Sequence, residues 1–180
     1  MVLNSNQLTG KRASRKNYWI SLFVVATIIG FDQWTKWLVR KNMLLNTSWL
    51  PESWGWLSPY ARFTYIQNSG SSFGMFQNGA VYLTILTFLI IIGAVYYVLT
   101  MEVSDDLELI AAGLYIGGAI GNLIDRLTMG TVTDFVSIGT FYIFNIADAS
   151  INISVAMLIF IVWIRERRKS IMKTPTQGDQ

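Results

Sequence analysis

Residues 80 to 101, AVYLTILTFLIIIGAVYYVLTM, run without a single charged side chain. About 20 such residues are what a helix needs to cross a hydrocarbon core about 30 Å thick. Three more segments approach that length: Tyr18 to Leu38, Leu107 to Ile124 and Phe144 to Ile164. The chain has 180 residues, 52% hydrophobic and 14% charged, against roughly 25% charged in ordinary soluble domains. Composition and pattern therefore predict an all-α membrane protein with four transmembrane helices, and any active site must be built from those helices and their loops.

The net charge of +3 gathers at the two ends, with Lys11, Arg12, Arg15 and Lys16 before the first span and Arg165, Arg167, Arg168, Lys169 and Lys173 after the last. Each cluster abuts an apolar stretch, so the positive-inside rule accounts for both, and no nucleic-acid partner is expected. Both termini are thus predicted to be cytoplasmic. Residues 1–17 and 165–180 read as basic tails, and 18–164 as one membrane domain. The first span follows basic residues as a signal peptide does, but no small-x-small site follows it, and Asp32 to Trp37 continues the helix. It reads as uncleaved. Trp19 and Trp163 fall at the cytoplasmic ends of their spans, while Trp34, Trp37, Trp49, Trp54 and Trp56 cluster on the other side. Between the first two spans, residues 42–79 form the largest outer segment. Within it ARFTYIQ, residues 61–67, reads as a strand before the turn NSGSSFG. The loop 101–108 carries no Lys or Arg, and Ser104 reads as the N-cap of the third helix.

Histidine and cysteine are both absent. That excludes a Ser-His-Asp triad, a Cys-His pair, a disulfide framework and an ordinary zinc site. No metal or other cofactor is expected, and chemistry falls to the acids, lysine, arginine and hydroxyls. A charge at the bilayer centre costs at least about 2.5 kcal/mol. Asp32, Lys36, Asp125, Asp134 and Asp148 all lie near the predicted outer ends of spans or just beyond, and so suggest one shared polar site. Asp32 and Lys36 are spaced for a helical ion pair; a Ser-Lys dyad of Lys36 with Ser69, Ser71 or Ser72 is conceivable, though no spacing specifies it. Gly113, Gly117 and Gly121 recur every four residues with Gly118 beside them, the spacing of a close helix contact, and the next step is Asp125. Asp125 should face another helix, with Asn122 and Arg126 beside it and Arg126 as its hydrogen-bonded partner. Asn145, Asp148 and Asn152 would share one face of the fourth helix.

Asp134 and Asp148 would lie about 21 Å apart on one continuous helix. Gly139 lies between them in VSIGTFYIF, where the chain can double back. Two carboxylates in contact cannot both ionise easily, so one keeps its proton, which supplies an acid and a base without histidine. Peptide hydrolysis is the enzyme chemistry this inventory suits best. A small non-enzymatic transporter or ion-binding membrane protein, using the same acids, is the alternative.

The motifs FDQWTK (31–36), NSGSSFG (68–74), GGAIGNLIDR (117–126), GTVTDF (130–135) and FNIADASI (144–151) resemble, in order, those of the bacterial lipoprotein signal peptidases, or signal peptidase II. The resemblance implies an aspartic endopeptidase of the bacterial cytoplasmic membrane that cuts prolipoproteins just before the diacylglyceryl-modified cysteine. Its partners would be that substrate and membrane lipids, and a monomer is expected. It implies Asp134 and Asp148 as catalytic residues near the outer face. Supporting or substrate-binding roles would fall to Asp32, Lys36, Asn68, Gly70, Asn122, Asp125, Arg126 and Asn145. It also implies a small extracytoplasmic β-cradle and a short interfacial helix within 42–79. The serines of NSGSSF stand where small apolar residues are common in this motif.

Overall fold

The computed structural model describes residues 18–70, 80–100 and 105–173, with side chains described to residue 168. Among the described residues, four helices are long and apolar enough to cross a membrane: α1 (Tyr18–Asn42), α2 (Ala80–Thr100), α3 (Asp106–Met129) and α4 (Ile146–Lys173). The first and third run about one turn past the spans read from hydropathy. In α3 the reason is Asp125 and Arg126, which end the apolar run without ending the helix. It stops instead at Gly130, which adopts the left-handed φ of 72° and donates its N–H to the Arg126 carbonyl at 3.0 Å. The N-cap position of α3 is Asp105; the expected cap, Ser104, lies outside the described residues. The fourth helix starts at Ile146 rather than Phe144 and continues to Lys173, so Arg165, Arg167 and Arg168 ride on the helix itself.

α3 is the central helix, packed against α1, α4 and α2. Its small residues explain the closeness. A Cβ added at Gly113 would stand 2.8 Å from the Val24 Cβ and one at Gly117 3.0 Å from the Ile28 Cβ, both on α1. Gly118 faces α4, where a Cβ would meet the Ala147 carbonyl at 2.5 Å and collide with the Ser150 hydroxyl. The glycine stripe thus seats α1 on one side of α3 while its neighbour seats α4 on the other. At the end where the last residues of α2 meet the first of α3, Val98, Leu109 and Ile116 form a buried apolar cluster. There Arg165 of α4 pairs with Glu108 of α3.

A three-stranded antiparallel sheet, β1 (Ser48–Trp49), β2 (Ala61–Asn68) and β3 (Val132–Ile138), lies at the opposite end of α3 in the order β1-β2-β3. β2 is the strand the sequence indicates; β3 is not, because its residues read as a motif within a longer apolar stretch. In the β2–β3 pairing, Phe63 faces Val136 and Ile66 faces Asp134. Thr64 and Tyr65 therefore share the single partner Phe135, a bulge that bends the strand. Tyr65 and Phe135 pack with Val39 of α1 as a buried cluster, which seats the sheet on the bundle. A 3₁₀ helix, Glu52–Leu57, links β1 to β2, with Trp54 and Trp56 exposed on it; it answers to the short helix expected there. After β3 the chain turns through Gly139, at a φ of 52°, and the Phe144 carbonyl accepts the N–H groups of Phe135 at 3.1 Å and Val136 at 2.8 Å. That reversal brings the start of α4 back beside Asp134.

Candidate active site

The polar site is assembled where α1 and α3 end, α4 begins and β3 crosses between them. Asn145 is its hinge point. As the residue before α4, it accepts the Asp148 N–H on its side-chain oxygen at 2.9 Å, and Asp148 returns the contact by accepting the Asn145 N–H at 3.3 Å. This is a reciprocal capping box, with aspartate in the place more often held by glutamate. The Asn145 amide nitrogen then reaches Asp134 Oδ1 at 2.6 Å and Asn122 Oδ1 at 3.1 Å. One residue therefore holds both carboxylates of interest. Asn122 donates to Asp148 Oδ1 at 2.8 Å, and Asn68, at the end of β2, donates to Asp134 Oδ2 at 3.0 Å. Gly70 is buried and donates its N–H to Asn68 Oδ1 at 2.9 Å, which fixes the direction of that amide.

Asp134 is 1% exposed whereas Asp148 keeps part of its surface open. Burial, reinforced by the Asp148 charge, pushes the Asp134 carboxyl up to about 7, against the opposing hydrogen bonds from Asn68 and Asn145. Such a group holds a proton near neutral pH without being locked into either form.

Behind this pair lies a second ionic layer with a fully buried centre. Lys36 and Asp32, both 0% exposed, pair at 2.8 Å, and Lys36 also lies 3.4 Å from Asp125. Arg40 stands 3.6 Å from Asp125. Removing one member of such a buried group typically costs about 3–5 kcal/mol, because its partner is left uncompensated. Gln33 donates to Asp32, Asp125 and the Gly121 carbonyl. Among the described residues, no group of three or more acidic side chains is arranged to hold a metal ion.

The family model described as "Signal peptidase (SPase) II" matches residues 24–164. The chain belongs to the signal peptidase II family. It is 36% identical to the lipoprotein signal peptidase of Anoxybacillus flavithermus, over 86% of this chain and 90% of that one. The lipoprotein signal peptidase of Acaryochloris marina is 38% identical, over 82% and 90%. A bacterial membrane enzyme solved by the in meso method at 2.3 Å resolution superposes with a TM-score of 0.74 at 27% identity, covering 88% of this chain and 94% of that one. A second, solved at 1.9 Å, gives a TM-score of 0.69 at 29% identity, over 79% and 91%. Like its relatives in the signal peptidase II family, the chain is a multi-pass bacterial membrane protein and a peptidase, and the transporter alternative is not favoured.

Within this family fold, Asp134, Asp148, Asn68, Gly70, Asn122 and Asn145 come together in one network, with Asp32, Lys36 and Asp125 behind it. Three expectations need correction. Asp125 does not pair with Arg126; it faces α1, because the glycine stripe directs it there, and its cations are Lys36 and Arg40. Arg126 is half-buried, and the charges that act on it most strongly are those of Asp148 and then Asp134. Asn152 does not share a polar face with Asn145, since Asn145 precedes the helix and Asn152 is exposed, bonded to the Asp148 main-chain carbonyl at 2.9 Å. The Lys36 ammonium is committed to two carboxylates and an amide, which leaves nothing for Ser69; Ser71 and Ser72 lie outside the described residues.

The network also takes in Gln33, Arg40 and Thr133, which the sequence alone does not single out. Arg40 had a signal, as the next i+4 step after Asp32 and Lys36; it also donates to the Thr133 hydroxyl at 3.1 Å. Gln33 lies inside FDQWTK and Thr133 inside GTVTDF, but neither type draws notice beside charged neighbours.

Proposed function

We propose that this chain is an aspartic endopeptidase that releases signal peptides from prolipoproteins by cutting before the diacylglyceryl-modified cysteine, with Asp134 and Asp148 as its catalytic pair. The single observation that carries the reading is that Asn145 hydrogen-bonds both carboxylates at once. Two acids so held share one proton at neutral pH. The ionised member takes a proton from water, whose oxygen attacks the scissile carbonyl carbon. The protonated member donates to the carbonyl oxygen as it gains charge. Collapse of the tetrahedral intermediate breaks the C–N bond, the cysteine amine leaves with a proton from the pair, and the signal peptide gains the new carboxylic acid.

The lipid-modified substrate accounts for the depth of the site. Its acyl chains stay in one leaflet while the signal helix lies in the bilayer, so the scissile bond arrives at the interface, where water is also available. We place the sheet end outside and both termini in the cytoplasm, with 1–17 and 165–180 as the basic ends of the chain, the second of them beginning on the last turns of α4. The basic ends and the exposed Trp49, Trp54 and Trp56 beside the sheet support this orientation.

The test is cleavage by the purified full chain of a diacylated precursor peptide and of its unmodified counterpart. Rapid cleavage of the diacylated peptide alone is expected. Equal cleavage of both would overturn the lipid-dependent reading.

A further inference from the structure

The ionic layer behind the carboxylate pair has an arrangement that charge neutralisation alone does not require. Asp32 accepts the Ala147 N–H at 2.9 Å, and Ala147 directly precedes Asp148. Asp125 accepts the Thr133 N–H at 2.9 Å, and Thr133 directly precedes Asp134. Each buried carboxylate thus grips the backbone one residue ahead of one member of the pair. Lys36 contacts both carboxylates, at 2.8 and 3.4 Å. Its third contact is with Asn122 Oδ1, at 2.9 Å.

That third contact has a directional consequence. An ammonium has only donors, so Asn122 must present its carbonyl oxygen to Lys36 and its NH₂ group elsewhere. The NH₂ group meets Asp148 Oδ1 at 2.8 Å. The same Asn122 oxygen also receives the Asn145 amide. Lys36 therefore has a route to both members of the pair while touching neither.

We infer that Lys36 is a positioning residue for the peptidase reaction: its ammonium locks Asp32, Asp125 and Asn122 together, and through them sets the relative placement of Asp134 and Asp148. The inference rests on the proposed catalytic pair. A misplacement of about 1 Å in such a pair costs about 100-fold in rate while leaving substrate contacts intact. The reading to be separated from it makes Lys36 a mere counter-ion for buried acid.

Cleavage of the diacylated precursor peptide by the full chain in detergent separates them, using Lys36→Met and the double variant Asp32→Asn/Lys36→Met. The double variant removes one charge of each sign and keeps an oxygen at position 32 to accept the Ala147 N–H. It therefore offsets the loss of stability that Lys36→Met alone incurs. Lys36→Met is expected to lower kcat about 100-fold with KM within about threefold. The double variant is expected to recover the unfolding temperature while its kcat stays low, because Asn122 and Asp125 remain unlocked. Glu108→Gln, which breaks the ion pair at the far end, is the control: it lowers the unfolding temperature with kcat within about threefold. Recovery of kcat to within about threefold of wild type in the double variant, or its retention in Lys36→Met, overturns the positioning role and leaves the peptidase reading standing. A wild-type chain that does not cleave the precursor overturns both.

Discussion

Asn145 caps α4 with its side-chain oxygen and bonds Asp134 with its side-chain amide, while its main-chain N–H donates to the Asp148 carboxylate, so one residue performs three tasks together. Asn145→Ala removes the cap, at a cost of about 1 kcal/mol. It should also separate the carboxylates, so precursor cleavage is expected to fall far more than that stability loss would explain; parallel unfolding and kinetic assays check this. Asp134 itself predicts a pH dependence. Its folded state favours the protonated form up to about 7, against an ordinary 3.8. Its contribution to stability is therefore complete below about 4 and is lost as pH rises through about 7. Thermal unfolding in detergent should show wild type losing up to about 4 kcal/mol more than Asp134→Asn between pH 4 and pH 8. Superimposable slopes would show that the carboxyl is not perturbed. At this scale the two aspartates were legible because acids in apolar sequence demand a reason. The partners of Asp125 were not, since sequence neighbours such as Arg126 point around the helix while the true partners lie on α1.

The helices were legible from length and hydropathy, and the close face of α3 from its glycine spacing. Each step of four residues on that stripe meets α1, ending with Gly121, where a Cβ would lie 2.6 Å from an Asp32 oxygen. Gly121→Ala should therefore disturb Asp32 and its grip on Ala147, lowering both the unfolding temperature and the cleavage rate. By contrast Gly93, on α2, has nothing within 4 Å of an added Cβ. Gly93→Ala is expected to be neutral or to stabilise α2, by up to about 1 kcal/mol from helix propensity. Equal damage from the two substitutions would contradict the packing. The strand β3 was not legible, because its partner is β2, more than sixty residues earlier, and no local alternation marks Val132 to Phe135, all of them buried.

For the whole molecule, four helices of alternating direction set the sheet and the carboxylate pair at one end and the Arg165–Glu108 pair at the other. The chain contains no cysteine, so single-cysteine variants report orientation cleanly. A membrane-impermeant thiol reagent should label Trp54→Cys from outside intact cells, and a cysteine within residues 174–180 only after permeabilisation. The reverse pattern would contradict the proposed topology. The central claim concerns Asp134 and Asp148, and its most direct test is cleavage of a diacylated precursor by purified Asp134→Asn and Asp148→Asn variants that retain the wild-type fold. Each substitution is predicted to lower cleavage by about 10⁴-fold. A folded variant of either kind that cleaves within tenfold of wild type would contradict the account.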